Sequence, residues 1–170
     1  ASPGQSSTPI VHGSAEAGST VKIYSSSDCS GSPLATGTAG GGGSFDISAS
    51  VSSNATTQLR VTATDAAGNT SGCSSAISYT HDGSSPEVPV LAATSPCSPS
   101  SSTTPTLSGT AEADGTVKIY TSADCSGSPV ATTTADGSGD YSQQLSATLG
   151  TTTTWYATVS DAAGNTSSCS

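Results

Sequence analysis

Seven residues, Asp65-Ala66-Ala67-Gly68-Asn69-Thr70-Ser71, return unchanged 96 positions later as Asp161-Ala162-Ala163-Gly164-Asn165-Thr166-Ser167. Each run is followed by a cysteine, Cys73 and Cys169. The same offset lays residues 1–74 over 97–170 without a gap, with 40 identities. A gapless repeat of that length makes the chain two copies of one module, so fold and function are properties of a repeat.

Each copy is small for a domain and can bury only a thin core. Large apolar side chains are scarce, with one Phe, one Trp, five Tyr and no Met. Ser, Thr, Ala and Gly fill most of the chain, a composition shared with disordered linkers. Disordered chains, however, are usually charged and lack apolar periodicity. Here only 9% of residues are charged, and β-branched residues recur in short alternating runs. The chain therefore reads as folded β structure.

The alternation places the strands. Thr20–Tyr24 puts Val21 and Ile23 on one face and Lys22 and Tyr24 on the other. Pro9 to Ala15 reads as a first strand with Ile10 or Val11 inward, and Leu34 to Ala39 as a strand of small residues. Phe45, Ile47, Ala49 and Val51 alternate, as do Leu59, Val61 and Ala63, and Ala76–Tyr79 is a last strand. Glu16–Ser19 and its twin Glu112–Gly115 are tight turns in which Gly supplies positive φ, and Gly40–Gly43 is a flexible connection. No helical period appears. The expectation is an all-β chain of two tandem Ig-like β-sandwiches, about seven strands each. Domain 1 spans 1–80, a linker and lead-in covers 81–96, and domain 2 spans 97–170.

Three of the differences between the copies bear on the fold of copy two. Trp155 replaces Leu59 and is expected in the core. Gln143 replaces Ile47, so that strand is expected to be an edge or irregular. The sequence stops at Ser170, the equivalent of Ser74, so the counterpart of Ala76–Tyr79 is missing. A cut piece is the simpler account. A strand supplied in trans is the other, and would make the chain a self-assembling fibre subunit.

The five cysteines are Cys29, Cys73, Cys97, Cys125 and Cys169. None sits in a CxxC and no His lies at ligand spacing, which disfavours zinc. Both copies repeat one pair at one separation, as a bridge within the module would, so Cys29–Cys73 and Cys125–Cys169 are expected disulfides. Bridges imply an oxidising place outside the cytosol, secreted or on a cell surface. Cys97 aligns with Ala1 and is left over, either free, joined to another chain, or joined to a residue outside this sequence.

The segments "GSAEAGSTVKIY", "DCSGSP", "GGGGSFDIS" and "RVTATDAAGNTSGC" resemble the bacterial Ig-like repeat domains of large surface proteins and adhesins. The resemblance is most specific at Gly13–Glu16 running into Val21–Tyr24, and at Thr62–Ser71. Copy two keeps these at Gly109–Glu112, Val117–Tyr120 and Thr158–Ser167, with Val159 and Ser160 substituted. Cys29 and Cys73 look like a paired-cysteine subset of the family. The resemblance implies Ig-like sandwiches in tandem, projecting a binding or anchoring domain from a cell. It carries no catalytic residues.

The remaining chemistry is sparse. The net charge of −9 is spread over both copies, which repels nucleic acid and anionic lipid. No apolar run approaches the length of a membrane span. Asp65 with Asn69, and Asp161 with Asn165, offer oxygens to Ca²⁺, with Asp82 and Glu87 as further donors from the linker. Calcium wants six to eight oxygens, and Asp and Asn also close turns on their own backbone. The turn is the stronger reading. Lys22 and Lys118 are expected to point outward, which disfavours an isopeptide bond. The two histidines, His12 and His81, form no convergent set with Ser or carboxylates, so no enzyme is expected. Asn54-Ala55-Thr56, Asn69-Thr70-Ser71 and Asn165-Thr166-Ser167 fit the N-glycosylation pattern, one that Thr-rich chains produce by chance. The functional expectation is a stalk or fibre segment whose partners are neighbouring repeats or head-to-tail copies. The alternative is a loop-borne module for a glycan or protein. Loops of Ser, Gly, Thr and Ala favour the stalk, because binding loops usually carry Trp, Tyr and Arg.

Overall fold

The alternation at Thr20–Tyr24 forms the central strand of the first module, with Val21 and Ile23 wholly buried. β-branched side chains on one face of a pleated strand suit this role, because they are already stiff and pack closely. The structure, a computed structural model, describes residues 2–170. It divides into two units, Ala1–Gly83 and Ser84–Ser170. Among the described residues every regular element is a strand.

Unit 1 holds β1 (Ile10–Ser14), β2 (Thr20–Tyr24), β3 (Ala35–Thr38), β4 (Ser44–Ser48), β5 (Thr56–Thr64) and β6 (Ile77–Thr80). One sheet is β1-β4 and the other is β3-β2-β5-β6, all antiparallel. Val11, Phe45 and Ile47 from the first sheet meet Val21, Ile23 and Leu59 from the second. This is a sandwich with its core between the layers. Of the two inward candidates on β1, Val11 is buried and Ile10 is exposed.

Unit 2 repeats the plan with β7 (Val90–Ser95), β8 (Thr106–Thr110), β9 (Thr116–Tyr120), β10 (Ala131–Thr134), β11 (Asp140–Gln144) and β12 (Tyr156–Ser160). Its sheets are β11-β8-β7 and β10-β9-β12. Leu107 and Tyr141 from one sheet pack on Val117, Ile119, Ala157 and Val159 from the other.

Several details differ from the sequence expectation. Unit 1 has six strands among the described residues rather than about seven, and unit 2 reaches six by way of β7, which has no counterpart in unit 1. The lead-in 81–96 ends in β7, which pairs with β8 across a bulge at Leu91/Ala93 and lays Leu91 against the core. The strand containing Gln143 is at an edge, as one alternative had it, and keeps a full register with β8. Gly40–Gly43 is a closed turn rather than a loose connection: the Gly40 N–H donates to Ser44 O at 2.7 Å and the Gly43 N–H to Gly40 O at 2.8 Å. In the second tight turn Asp114, and not Gly115, takes the positive φ of 61°. Gly115 is needed for space, since a Cβ there would lie 2.6 Å from Val159 Cγ2.

The largest difference between units lies along one strand. In unit 1, Thr56–Leu59 of β5 pairs with Thr80–Ile77 of β6. The equivalent Thr152–Trp155 stretch of unit 2 belongs to no strand, and β12 begins only at Tyr156. Trp155 is consequently half-buried against the core cluster, where Leu59 is fully buried.

Candidate functional site

The repeated motif forms the corner at the end of β5. Asp65 Oδ1 accepts from the N–H groups of Ala67 at 2.9 Å and Asn69 at 2.8 Å. Asp65 Oδ2 accepts from Asn69 Nδ2 at 2.8 Å. Gly68, at φ 90°, donates its N–H to Asp65 O at 3.2 Å. A residue with a Cβ is disfavoured at that backbone angle, which explains Gly at this step. The corner is a side-chain-closed turn in which aspartate stands in for a backbone acceptor.

Beyond the corner the chain forms a hydroxyl ladder. Ser71 donates its N–H to Ala63 O at 2.8 Å, and its Oγ accepts the Ala63 N–H at 3.0 Å. Ser74 repeats this on Val61, at 3.0 Å for both bonds. Between them Cys73 is bonded to Cys29, with S–S 2.03 Å and Cα–Cα 5.7 Å. Thus the residues after the turn pair the outer half of β5 through serine side chains, and the bridge pins them down. Unit 2 has the same set: Ser167 on Val159, Ser170 on Ala157, and Cys169 bonded to Cys125. Sequence reading picks out the Asp, Asn and Cys of this motif and passes over the two serines. Their signal was a fixed three-residue spacing around the cysteine in both copies.

The partner half-cystines sit on a tight loop of their own. Cys29 and Cys125 have φ of 57° and 52°, a left-handed conformation costly for a residue with a Cβ. The loop is fastened by Ser26 Oγ donating to Ser30 O at 2.8 Å, and by Ser30 Oγ donating to Asp28 Oδ1 at 2.7 Å. Ser122, Asp124 and Ser126 make the matching loop in unit 2.

The electrostatics follow from these bonds. The side-chain hydrogen bond from Asn69, helped by backbone N–H groups, holds the Asp65 carboxyl below the usual aspartate range. At Asp161 partial burial is the largest single influence and pushes upward, but the bonds from Asn165 and the backbone together outweigh it, and the carboxyl again lies low. Hydrogen bonds from Ser30 and Ser126 lower Asp28 and Asp124 in the same way. Each carboxylate is thus stabilised as an anion by donors of its own turn. Both Asp65 oxygens are already engaged, so a cation would have to displace those donors. Among the described residues no three His, Cys, Asp or Glu side chains converge as a metal site. Asp82 lies at the end of unit 1, where its N–H donates to Gly4 O at 3.0 Å.

Other singled-out residues fall into structural roles. His81, read as linker, is buried, and its Nδ1 accepts the Asn54 N–H at 2.9 Å. His12 pairs with Asp46 on the exposed side of β1 and β4. Lys22 is half-buried in β2 and Lys118 exposed in β9. Cys97 is a free thiol and exposed.

A bacterial Ig domain family model matches the chain twice, over residues 5–79 and 96–170. No curated protein matches it. Among solved structures, one titled biofilm associated protein, BSP domain, aligns with 95% of this chain at 21% identity and a TM-score of 0.33. The chain covers 26% of the length of that structure.

Proposed function

The chain belongs to the bacterial Ig domain family, in two tandem copies, and from that premise we propose that it is a non-catalytic spacer segment of a bacterial surface protein. Its work is mechanical: to form part of a stalk or fibre that holds another part of the protein away from the cell. The observation that carries this reading is what the two copies keep. The repeated motif spends its Asp, Asn, Ser and Cys side chains on closing a corner and tying down a sheet edge. Selection for a ligand would keep side chains pointing out; here the kept polar groups bond their own backbone. The disulfides suit an oxidising, extracellular place. Neighbouring repeats of the same protein are the proposed partners, and exposed Cys97 gives a head-to-tail copy a point of covalent attachment.

Force spectroscopy on the oxidised and reduced chain tests the proposal. A load-bearing spacer is expected to unfold in two discrete events. Each bridge spans a sequence separation of 44, and the segment it shields is released only on reduction. At roughly 3.6 Å per residue, each event should then lengthen by about 160 Å. Extension without resolvable force peaks in the oxidised chain would refute the mechanical role.

A further inference from the structure

We propose that the free edge of β10 in unit 2 is a pairing surface, and that its occupant is the same edge of a second copy of this chain, laid antiparallel across a two-fold axis. Strand β10 ends its sheet and pairs with β9 alone. The Ala135 N–H donates to Gly115 O at 3.0 Å, and the register with β9 runs unshifted through Ala131–Thr134. In an antiparallel ladder, alternate residues turn their backbone groups to opposite sides. Ala131 and Thr133 therefore face β9, and the N–H and C=O groups of Thr132 and Thr134 face away from it. Among the described residues no hydrogen bond from elsewhere in the chain reaches those four groups. In unit 1 the Ala39 N–H donates to Ser19 O at 3.0 Å, so β3 presents Thr36 and Thr38 in the same way. There the sheet carries β6 on its far side and this edge is still free.

Such edges template further strands, and proteins normally blunt them with charge, proline, bulges or a covering segment. Several edge strands of these sandwiches are blunted. Asp46 lies in β4 and Asp140 in β11, β7 carries a bulge, and the lead-in at Gly4 lies along β6. β10 reads Ala-Thr-Thr-Thr, without charge or proline. Two differences assign the pairing to β10 rather than β3. Threonine is a good strand former, whereas β3 reads Ala-Thr-Gly-Thr and a glycine within a strand weakens it. Val130, next to β10, is 53% exposed, while its counterpart Leu34 packs against the core of unit 1.

Geometry and charge choose the occupant. A row of outward backbone groups is matched by another extended strand. Laying β10 on its own image, with Thr133 on the axis, puts Thr132 opposite Thr134 of the second copy and Thr134 opposite its Thr132. Both pairs are of the hydrogen-bonded kind, so all four outward groups of each strand are satisfied. Such an isologous contact closes on itself as a dimer. Thr–Thr pairs across strands are favourable, and Val130 falls diagonal to Thr134 of the second copy. The chain carries a net charge of −9, so copies repel unless they meet where acid is absent. Lys118, opposite Thr132 on β9, sets a positive charge beside the strip. Asp136 follows shortly after the strand. A parallel pairing would set it against its own copy. In the antiparallel pairing it falls opposite Val130, about 20 Å along the strand from the other Asp136 and beyond a Debye length of about 8–10 Å. This side-by-side contact belongs to the edge of unit 2 and does not depend on the spacer role.

The test is self-association of the intact, oxidised chain carrying Cys97→Ser, which removes the exposed thiol as a route to dimers. The strip is smaller than a standard interface, so sedimentation equilibrium should show a reversible dimer with a Kd of about 0.1–1 mM. Amide exchange at high concentration should slow at Thr132 and Thr134 and stay unchanged at Thr36 and Thr38. Thr132→Lys, a charge of the kind that blunts edges, should weaken the dimer about tenfold or more. Thr134→Pro removes a donor that no strand of the chain uses, and should do the same. Thr36→Lys, at the matching place in β3, should leave the dimer unchanged. Trp155 emission and far-UV circular dichroism at low concentration establish that each variant is folded. A chain that stays monomeric at about 1 mM overturns the proposal. So does a dimer in which Thr132 and Thr134 exchange as fast as in the monomer. A dimer broken by Thr36→Lys and indifferent to Thr132→Lys would assign the pairing to β3 and overturn it as well.

Discussion

Gly13 faces Phe45 across the β1–β4 pair, and Gly109 faces Tyr141 across β8–β11. In both units an aromatic ring lies over a glycine that has no side chain to oppose it, a known way of packing glycine in a sheet. The obstacles to a methyl group differ. The three atoms nearest a Cβ at Gly13 all belong to the Phe45 ring, with Cε1 at 2.8 Å and Cε2 at 3.0 Å and Cζ closer still. At Gly109 it would lie 2.6 Å from Tyr141 Oη, and closest of all to the backbone oxygen of Val90 on β7. A ring turns or tilts within the core; a ladder oxygen moves only if its strand does.

Gly13→Ala should therefore cost an ordinary overpacking penalty of about 1–3 kcal/mol. A gain of about 0.4–1 kcal/mol from the stiffer unfolded chain partly offsets it. Gly109→Ala must in addition displace β7 beside its Val90–Thr110 and Leu91–Gly109 pairings and disturb the 3.1 Å bond from Tyr141 Oη to Val90 O. At about 1 kcal/mol for each hydrogen bond weakened, the total is roughly 3–5 kcal/mol. Urea unfolding separates the units: Trp155 fluorescence follows unit 2 alone, while far-UV circular dichroism follows both. In a double-mutant cycle, Phe45→Leu should recover part of the Gly13→Ala loss, with a coupling of about 1 kcal/mol. Tyr141→Leu should recover little of the Gly109→Ala loss, because Val90 O stays in place. Equal losses in the two units, or full rescue by Tyr141→Leu, would refute the assignment of the backbone as the obstacle.

Each bridge closes a loop with a sequence separation of 44, so Cys73→Ala and Cys169→Ala should each destabilise their own unit by about 4 kcal/mol; only Cys169→Ala should move the Trp155 transition in urea. Asp65 and Asp161 are held below the ordinary aspartate value of 3.8, so their stabilisation is present above that pH and lost as pH falls through the lower folded-state value. In acid titration followed by circular dichroism, the Asp65→Asn and Asp161→Asn double variant should be less stable at neutral pH and lose less stability below pH 3.8 than the parent chain; an unchanged acid limb would count against the corner as the sensitive element. Ser19 Oγ is buried with no hydrogen-bond partner among the described residues, and Gly115 stands at its place in unit 2. Ser19→Ala should raise the stability of unit 1 by about 1 kcal/mol in thermal unfolding, and a loss instead would show that the hydroxyl is satisfied.

The sandwich was legible because its signal is local. Val21 and Ile23 alternate with polar neighbours, and the repeat doubles the evidence for every strand. β7 was not legible, since Val90–Ser95 falls outside the repeated region and has no counterpart in copy one with which to be compared. The regularity of β11 was hidden for a related reason. Ile47 lies close to Gly37, where a Cβ would sit 2.6 Å from Ile47 Cγ1. In unit 2 the same two positions are Thr133 and Gln143. The β-branched residue has moved from one strand to the other, and a strand judged alone loses its apolar mark while the pair keeps its volume. Trp155 was placed in the core by its alignment with Leu59, but burial there depends on a neighbouring strand and not on the residue itself.

The repeated motif owes its invariance to that same edge. The outer half of β5 cannot pair with β6, because β6 reaches only Thr56–Leu59. Ser71 and Ser74 take over from Ala63 and Val61 onward, and the cysteine between them fixes the segment to the far loop. The corner, the two serines and the bridge are one device for covering half a strand without a strand. Unit 2 keeps the whole device and covers Ala157 and Val159 in the same way. In unit 2, Thr152–Trp155, the stretch equivalent to Thr56–Leu59, belongs to no strand. Removing the device should expose a second stretch of edge: Ser167→Ala leaves the Val159 N–H without its acceptor inside a buried sheet, at a cost of about 1–3 kcal/mol. Ser102→Ala, whose Oγ accepts only the exposed Thr104 N–H at 3.2 Å, should cost far less in the same urea titration. If the two variants are equally stable, the serines are not the edge cover that the repeat preserves.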